Sequence, residues 1–224
     1  MTMNSFTLNA ADAKYLADVG LSASSADDVT PVICAAMFYV TETEVRVVST
    51  DRYRIHTAIA APSEPAPDHE VLIDRTALTW MSKNANALGR QRNLVKPIVT
   101  ITSEPADPNA NARGGALTIT VTEWVGDDAR TLTYTAHTVK GNFPPVMRLV
   151  QEARDAEESE GGRLKLDFLA KARPLAMHPD YAPRIKFTKA TTDNSRPGPA
   201  LLQFKNAGVV YAEAIIQPYL IGVE

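Results

Sequence analysis

Apolar and polar residues alternate with period two on both sides of a short polar break at residues 50–52. Val45 and Val47 alternate with Arg46, and Ile55, Thr57 and Ile59 alternate with Arg54, His56 and Ala58. That period predicts two half-buried antiparallel strands. Thr50 and Asp51 can bond their own backbone two residues on, which places a tight turn between the strands. Upstream, residues 6–8 read as a strand and Asn9 as an N-cap, with Asp12 three residues on. A helix follows over 10–19, with Tyr15, Leu16 and Val19 on one side and Gly20 suited to its end. Residues 32–40 are a mostly apolar strand leading into the hairpin.

The same order then recurs. Residues 62–69, PSEPAPDH, read as a proline-rich connector. A strand over 71–73 leads to Asp74 as N-cap. Leu78, Met81, Ala85 and Leu88 then fall on one helical face, closed by Gly89. Strands follow at 98–103, at Leu117, Ile119 and Val121, and at Leu132, Tyr134 and Ala136, the last two alternating with threonines. After a charged stretch, 151–162, the order appears a third time. A strand over 163–166, Asp167 as N-cap and a helix over 168–176, shortened by Pro174, precede strands at 184–189, 201–204 and 211–217. Strand–helix–three strands, three times, is an internal repeat. It predicts an α+β architecture with one helix on one face of each antiparallel sheet. The expected organisation is a two-unit domain over 1–150, a charged linker over 151–162 and a single unit, half a domain, over 163–224. A lone third unit would expose Phe168, Leu169 and Ile185. It therefore predicts a homo-oligomer in which third units meet across a two-fold axis, or a fold-back of that unit onto the first domain.

Composition narrows the possibilities. No apolar run is long enough to span a membrane, and the opening MTMNSFTLNAADAK lacks the features of a secretory signal. A cytoplasmic location is expected. The single cysteine, Cys34, allows no intrachain disulfide. His56, His69, His137 and His178 share no metal-ligand spacing, and phosphate-loop, nucleophile-elbow and dinucleotide patterns are absent. No catalytic constellation, cofactor or metal is expected. Asp51 and His56 are close in sequence, but a hairpin separates them, and Asp51 reads as a turn former. The net charge of −3 excludes a uniformly basic nucleic-acid binder, although one face can still be basic.

Four stretches carry a resemblance to a family. Thr50-Asp51-Arg52-Tyr53-Arg54-Ile55 resembles the Thr-Asp-Gly-His-Arg-Leu turn of the bacterial DNA polymerase III beta sliding clamp, with Arg52 and Tyr53 where that family has Gly and His. Residues 71–81, VLIDRTALTWM, resemble the strand and helix that open the second half of a clamp domain. Residues 141–149, GNFPPVMRL, resemble its Gly-x-Phe-Pro-Asp-Tyr-x-Arg-Val linker, departing at Pro145 and Val146. Residues 214–220 resemble the clamp's C-terminal Val-Val-Met-Pro-Met-Arg, with Gln217 in place of a methionine. The matches follow the family's order over nearly the whole chain. The family's chain has three two-unit domains, whereas this one has three units.

The resemblance implies a non-enzymatic processivity factor of DNA replication. Such a protein encircles duplex DNA without reading sequence and docks polymerase and repair partners through a clamp-binding peptide, with a clamp loader as a candidate partner. The reduced length and departing linker suggest a phage or mobile element. Carried over by position, the peptide pocket comprises Ile33, Thr50, Tyr53, Ile55, Pro144, Leu149, Ile215, Gln217 and Tyr219. On residue type alone the three isoleucines read as core rather than pocket; the resemblance is what brings them to the pocket. Helices lining the hole would turn Lys14, Arg75, Lys83, Arg90, Lys171 and Arg173 toward phosphates, with Asp12 and Asp18 diluting the first helix. The alternative is a clamp-like binding module that closes no ring, an adaptor or decoy for a replicative polymerase.

Overall fold

The first two repeats each give their opening strand to the other. In the computed structural model, which describes residues 3–27, 29–88, 96–105, 114–178, 180–190 and 197–218, β1 (Asn4–Asn9) lies antiparallel to β6 (Ile98–Ser103). In return β5 (His69–Asp74) lies against β2 (Ala35–Val40). The first sheet is completed by β7 (Ala116–Val125) and β8 (Asp128–His137), in the order β1-β6-β7-β8. The second contains β3 (Val45–Thr50), β4 (Arg54–Ala60), β9 (Arg184–Lys189), β10 (Pro197–Asn206) and β11 (Val209–Ile216), in the order β5-β2-β3-β4-β11-β10-β9.

The two long helices start where the sequence places them. For α1 (Ala10–Ala23), Asn9 Oδ1 accepts from Asp12 N at 2.9 Å. For α2 (Arg75–Asn84), Asp74 Oδ1 accepts from Ala77 N at 2.7 Å. Each cap satisfies an amide that the helix itself cannot. The end of α1 differs from expectation. Gly20 lies inside the helix, because it sits where the helix touches the sheet most closely. A Cβ at Gly20 would stand 3.0 Å from Ala36 Cβ and 3.3 Å from Leu78 Cδ1. The predicted end at Gly89 lies outside the described residues. The helices pack side by side, with Ser82 Oγ donating to Asp18 Oδ1 at 2.5 Å. Leu16, Phe38, Leu78, Met81 and Ile119 are fully buried in the core beneath them.

The third repeat is joined to the first within the chain. β11 pairs with β4, setting Ile215 opposite Ile55 and Ala214 opposite His56. The predicted strand over 163–166 does not form. A strand needs a neighbour for its amides and carbonyls, and the outer edge of β9 carries residues 157–159 over its second half. Ser159 N donates to Phe187 O at 2.8 Å, and Lys189 N donates to Glu157 O at 3.0 Å. The helix expected over 168–176 divides into α4 (Leu166–Lys171) and a turn of 3-10 helix, Arg173–Leu175, that contains Pro174.

The charged stretch is not a free tether. α3 (Met147–Asp155) lies on the sheet face opposite α1 and presses Val150 and Ala153 onto Val48, Ile55, Leu201 and Ile215. The Arg154 guanidinium donates to the buried Glu213 carboxylate, through Nε at 3.0 Å and through Nη2. That pairing holds the Arg154 guanidinium protonated still more firmly than usual, against the opposing effect of burial. Lys186 Nζ donates to the Arg154 carbonyl at 2.8 Å, satisfying the helix end.

Candidate functional site

The hairpin turn is built around one carboxylate. Asp51 Oδ1 accepts from Tyr53 N at 3.1 Å and Arg54 N at 2.9 Å. Asp51 Oδ2 accepts from Arg54 Nε at 3.1 Å and from Arg54 Nη2. The Arg54 side chain is only 3% exposed, so its charge is balanced inside the protein. Thr50 Oγ1 donates to Arg54 O at 2.7 Å and accepts from Arg52 N at 3.2 Å. Arg52 holds φ at +77°, a conformation that suits the glycine of the resembling turn. Its Nη2 donates to Thr30 Oγ1 at 2.7 Å.

The turn is tied to the third repeat. Tyr53 is 61% exposed and stacks on Phe168 of α4 at 6.4 Å between centroids. The Arg54 guanidinium carbon lies 4.9 Å from the centroid of the same ring. Gln217 N donates to Tyr53 O at 3.0 Å, just beyond β11.

These elements enclose a groove of about 580 Å³. Its floor is Ile33, Thr50, Ile55 and Ile215, all buried. Tyr53, Pro144, Leu149 and Gln217 form the rim, with Leu149 41% exposed. The structure thus brings together eight of the nine pocket residues named from the sequence; Tyr219 lies outside the described residues. The sequence reading omitted the groove's charged residues, Arg52, Arg54, Lys189 and Glu152. Both arginines were within the quoted turn. Lys189 arrives only through the β4–β11 pairing, which no local signal announces.

The basic residues divide. Lys14, Lys171 and Arg173 border one shallow depression between α1 and the third repeat, with Lys14 Nζ 2.5 Å from Asp18. Arg75 Nη1 donates to the Leu21 and Ser24 carbonyls at 3.1 and 2.9 Å, capping the end of α1. Lys83 is exposed on α2, beside the stacked Trp80 and Tyr134. Arg90 lies outside the described residues. Among the described residues, no group of three or more metal-binding side chains converges, and no helix is long and apolar enough to cross a membrane.

His56 lies behind the groove, fully buried, with Nδ1 2.6 Å from Ser22 Oγ. The Ser22 hydroxyl gives its proton to Val19 O at 2.7 Å, which leaves it to accept from Nδ1–H. Burial, aided by the Arg54 charge, lowers the His56 pKa to about 3. The unfolded chain, with an ordinary value near 6.5, takes the proton first as pH falls. Stability is therefore full above about pH 6.5 and declines toward pH 3, by up to about 1.4 kcal/mol per pH unit. Urea unfolding from pH 7 to pH 5 should show this loss, and His56→Gln should flatten it. An unchanged slope in His56→Gln would place the acid sensitivity elsewhere.

No family model matches the chain, and no curated protein sequence does. Solved structures do. The DNA polymerase III beta subunit of Thermotoga maritima superposes with a TM-score of 0.61 at 10% identity, covering 98% of this chain and 66% of that one. The DNA polymerase sliding clamp of Pseudomonas aeruginosa gives 0.60 at 14% identity, covering 97% and 67%. A clamp of the same organism bound to griselimycin gives 0.59 at 15% identity, covering 97% and 65%.

This chain has the sliding-clamp fold.

It spans about two thirds of the length of the solved clamps it matches. The clamp fold accounts for the exchange of first strands and for the single face that carries α1 and α2. The groove sits where the hairpin of the first repeat meets the last strand of the third.

Proposed function

We propose that this chain is a shortened clamp-type processivity factor that holds replication proteins through a short peptide seated in the groove. The observation that carries the reading is the convergence of separate segments around one apolar floor: the Pro31–Cys34 turn, the β3–β4 hairpin, α3 and its approach, the facing ends of β9 and β10, and the end of β11. A floor of isoleucines accepts Leu or Phe side chains. Arg52 at its margin favours a peptide that also carries a carboxylate, whereas Lys189 is already paired with Glu157 at 2.8 Å. Copies of the chain would close a ring around duplex DNA, with Lys14, Lys171 and Arg173 meeting phosphates. The work is tethering, without catalysis.

The second reading, an adaptor that closes no ring, draws support from the cations already engaged. Arg75 is spent on helix carbonyls, and Lys14 is paired with Asp18. Retention on closed circular DNA through a wash that strips linear DNA separates the two.

A labelled peptide bearing Leu, Phe and one acidic residue tests the groove by fluorescence anisotropy. Leu149→Asp should weaken binding by roughly 30-fold, about 2 kcal/mol, while leaving the fold intact, because Leu149 is a rim residue. Equal affinity for wild type and Leu149→Asp would refute the assignment.

A further inference from the structure

The first two repeats follow a register that the third leaves unfilled. In β1–β6, the capping residue Asn9 stands opposite Ile98, the first residue of its acceptor strand, and Leu8 stands opposite Val99. In β5–β2, the capping residue Asp74 stands opposite Ala35, the first residue of that strand, and Ile73 stands opposite Ala36. Leu8 and Ile73 are fully buried. The sequence places Leu166-Asp167 at the same point of the third repeat, but α4 starts early there: Lys165 takes the N-cap position without a side-chain cap, Asp167 does not cap, and Leu166, the first helical residue, is 78% exposed. Among the described residues, the edge of β9 has residues 157–159 beside it; their backbone bonds reach no further than Phe187, while Glu158 extends to Arg184 Nη2 at 3.8 Å. Ile185 is 40% exposed, at the side of an apolar groove of about 390 Å³ lined by Leu169, Ala172, Tyr181 and Phe204. Among the described residues, the backbone of 163–166 pairs with no strand, although Leu164 packs on the core and Lys165 lies over the Phe168 ring, and the first half of the β9 edge carries no strand either.

We propose that residues 163–166 of one copy complete β9 of a second copy across a two-fold axis. Two third repeats would then rebuild the paired arrangement that the first two make within the chain. The shared register sets Asp167 opposite the partner's Arg184, Leu166 opposite the partner's Ile185 and Leu164 opposite the partner's Phe187. The first of these pairs is oppositely charged and the other two are apolar, as a self-complementary cross-strand match requires. Lys165 falls opposite the partner's Lys186 on the other face. There Lys186 Nζ is already held by the Ala153 and Arg154 carbonyls. The exchange gives up the short contact of residues 157–159 with Phe187 and Lys189 and gains a longer ladder. Gly161 and Gly162 lie just before the donated segment. A Cβ at Gly161 would meet nothing within 4 Å, whereas one at Gly162 would stand 2.6 Å from Phe187 Cδ1, so the exchange must turn the chain at Gly161 and release Gly162 from the Phe187 ring. The occupant is a second copy because the donor and the acceptor belong to the same repeat. The proposal rests on the fold and its register and is independent of the peptide groove.

The test uses the full chain with Cys34→Ser. Leu166→Cys with Ile185→Cys should give a covalent dimer under mild oxidation, whereas Lys165→Cys with Ile185→Cys, on opposite faces, should not. Sedimentation equilibrium at micromolar concentration should return a dimer for the unsubstituted chain. Leu166→Asp should raise the dimer dissociation constant roughly tenfold or more while leaving the circular dichroism spectrum unchanged. A monomer mass for the unsubstituted chain, a dimer indifferent to Leu166→Asp, or equal cross-linking by both cysteine pairs would each overturn the proposal.

Discussion

Replacing Asp51 with alanine is expected to cost about 4 kcal/mol of folding stability. Two losses combine. The amides of Tyr53 and Arg54 lose their common acceptor, which frees the turn. The Arg54 guanidinium, 3% exposed and bonded through Nε and Nη2 to Asp51, keeps its charge without an anion. Breaking a buried pair by removing one partner costs more than the pair contributes, because the remaining charge stays desolvated. Asp51→Asn retains a turn acceptor and loses the charge, so it should fall between alanine and wild type. Urea unfolding midpoints for the three proteins check the order. A loss below about 1 kcal/mol for Asp51→Ala would mean that the Arg54 charge is balanced by something other than Asp51.

Ile215→Asp is expected to be equally severe, and that separates floor from rim in the groove. Ile215 is 4% exposed and packs with Val48, Ile55, Val150 and Leu201. A carboxylate there loses the packing of an aliphatic side chain and is buried without a partner, at a combined cost of about 4 kcal/mol or more. Because Ile33 and Ile215 are both buried, aspartate at either position tests the fold rather than peptide binding. Ile215 also faces Ile55 across the β4–β11 junction, so the third repeat should loosen first. Limited proteolysis should cut the Ile215→Asp protein within residues 157–190 before the first two repeats yield. Simultaneous loss of all three repeats would show that the junction is not the weak point.

What the sequence disclosed was mostly local. The alternation along 45–60, the caps at Asn9 and Asp74, and the turn at Asp51 each depend on residues within a few positions, and all three appear where the pattern places them. Gly20 was misread because a glycine that ends a helix and one that lets a helix touch a sheet look the same in sequence. The strand expected over 163–166 fails for a different reason. Its apolar residues suit a strand, but among the described residues of one chain no neighbouring strand completes its hydrogen bonds. The β4–β11 junction was not legible either, because strand partners distant in sequence leave no local trace. The groove was recognised through its resemblance, segment by segment. Its charged margin was missed because Lys189 becomes a neighbour of Arg52 and Arg54 only after the third repeat docks.

Backbone hydrogen exchange with and without the Leu- and Phe-bearing peptide tests the docking claim most directly, because it reports which amides are covered. The account predicts added protection in residues 30–34, 50–55, 144–156, 188–190 and 215–217, segments that line the groove, and none in α2 or β8. Binding with protection confined to α2, β8 or the depression around Lys14 and Lys171, or the absence of any protection under saturating peptide, would contradict it.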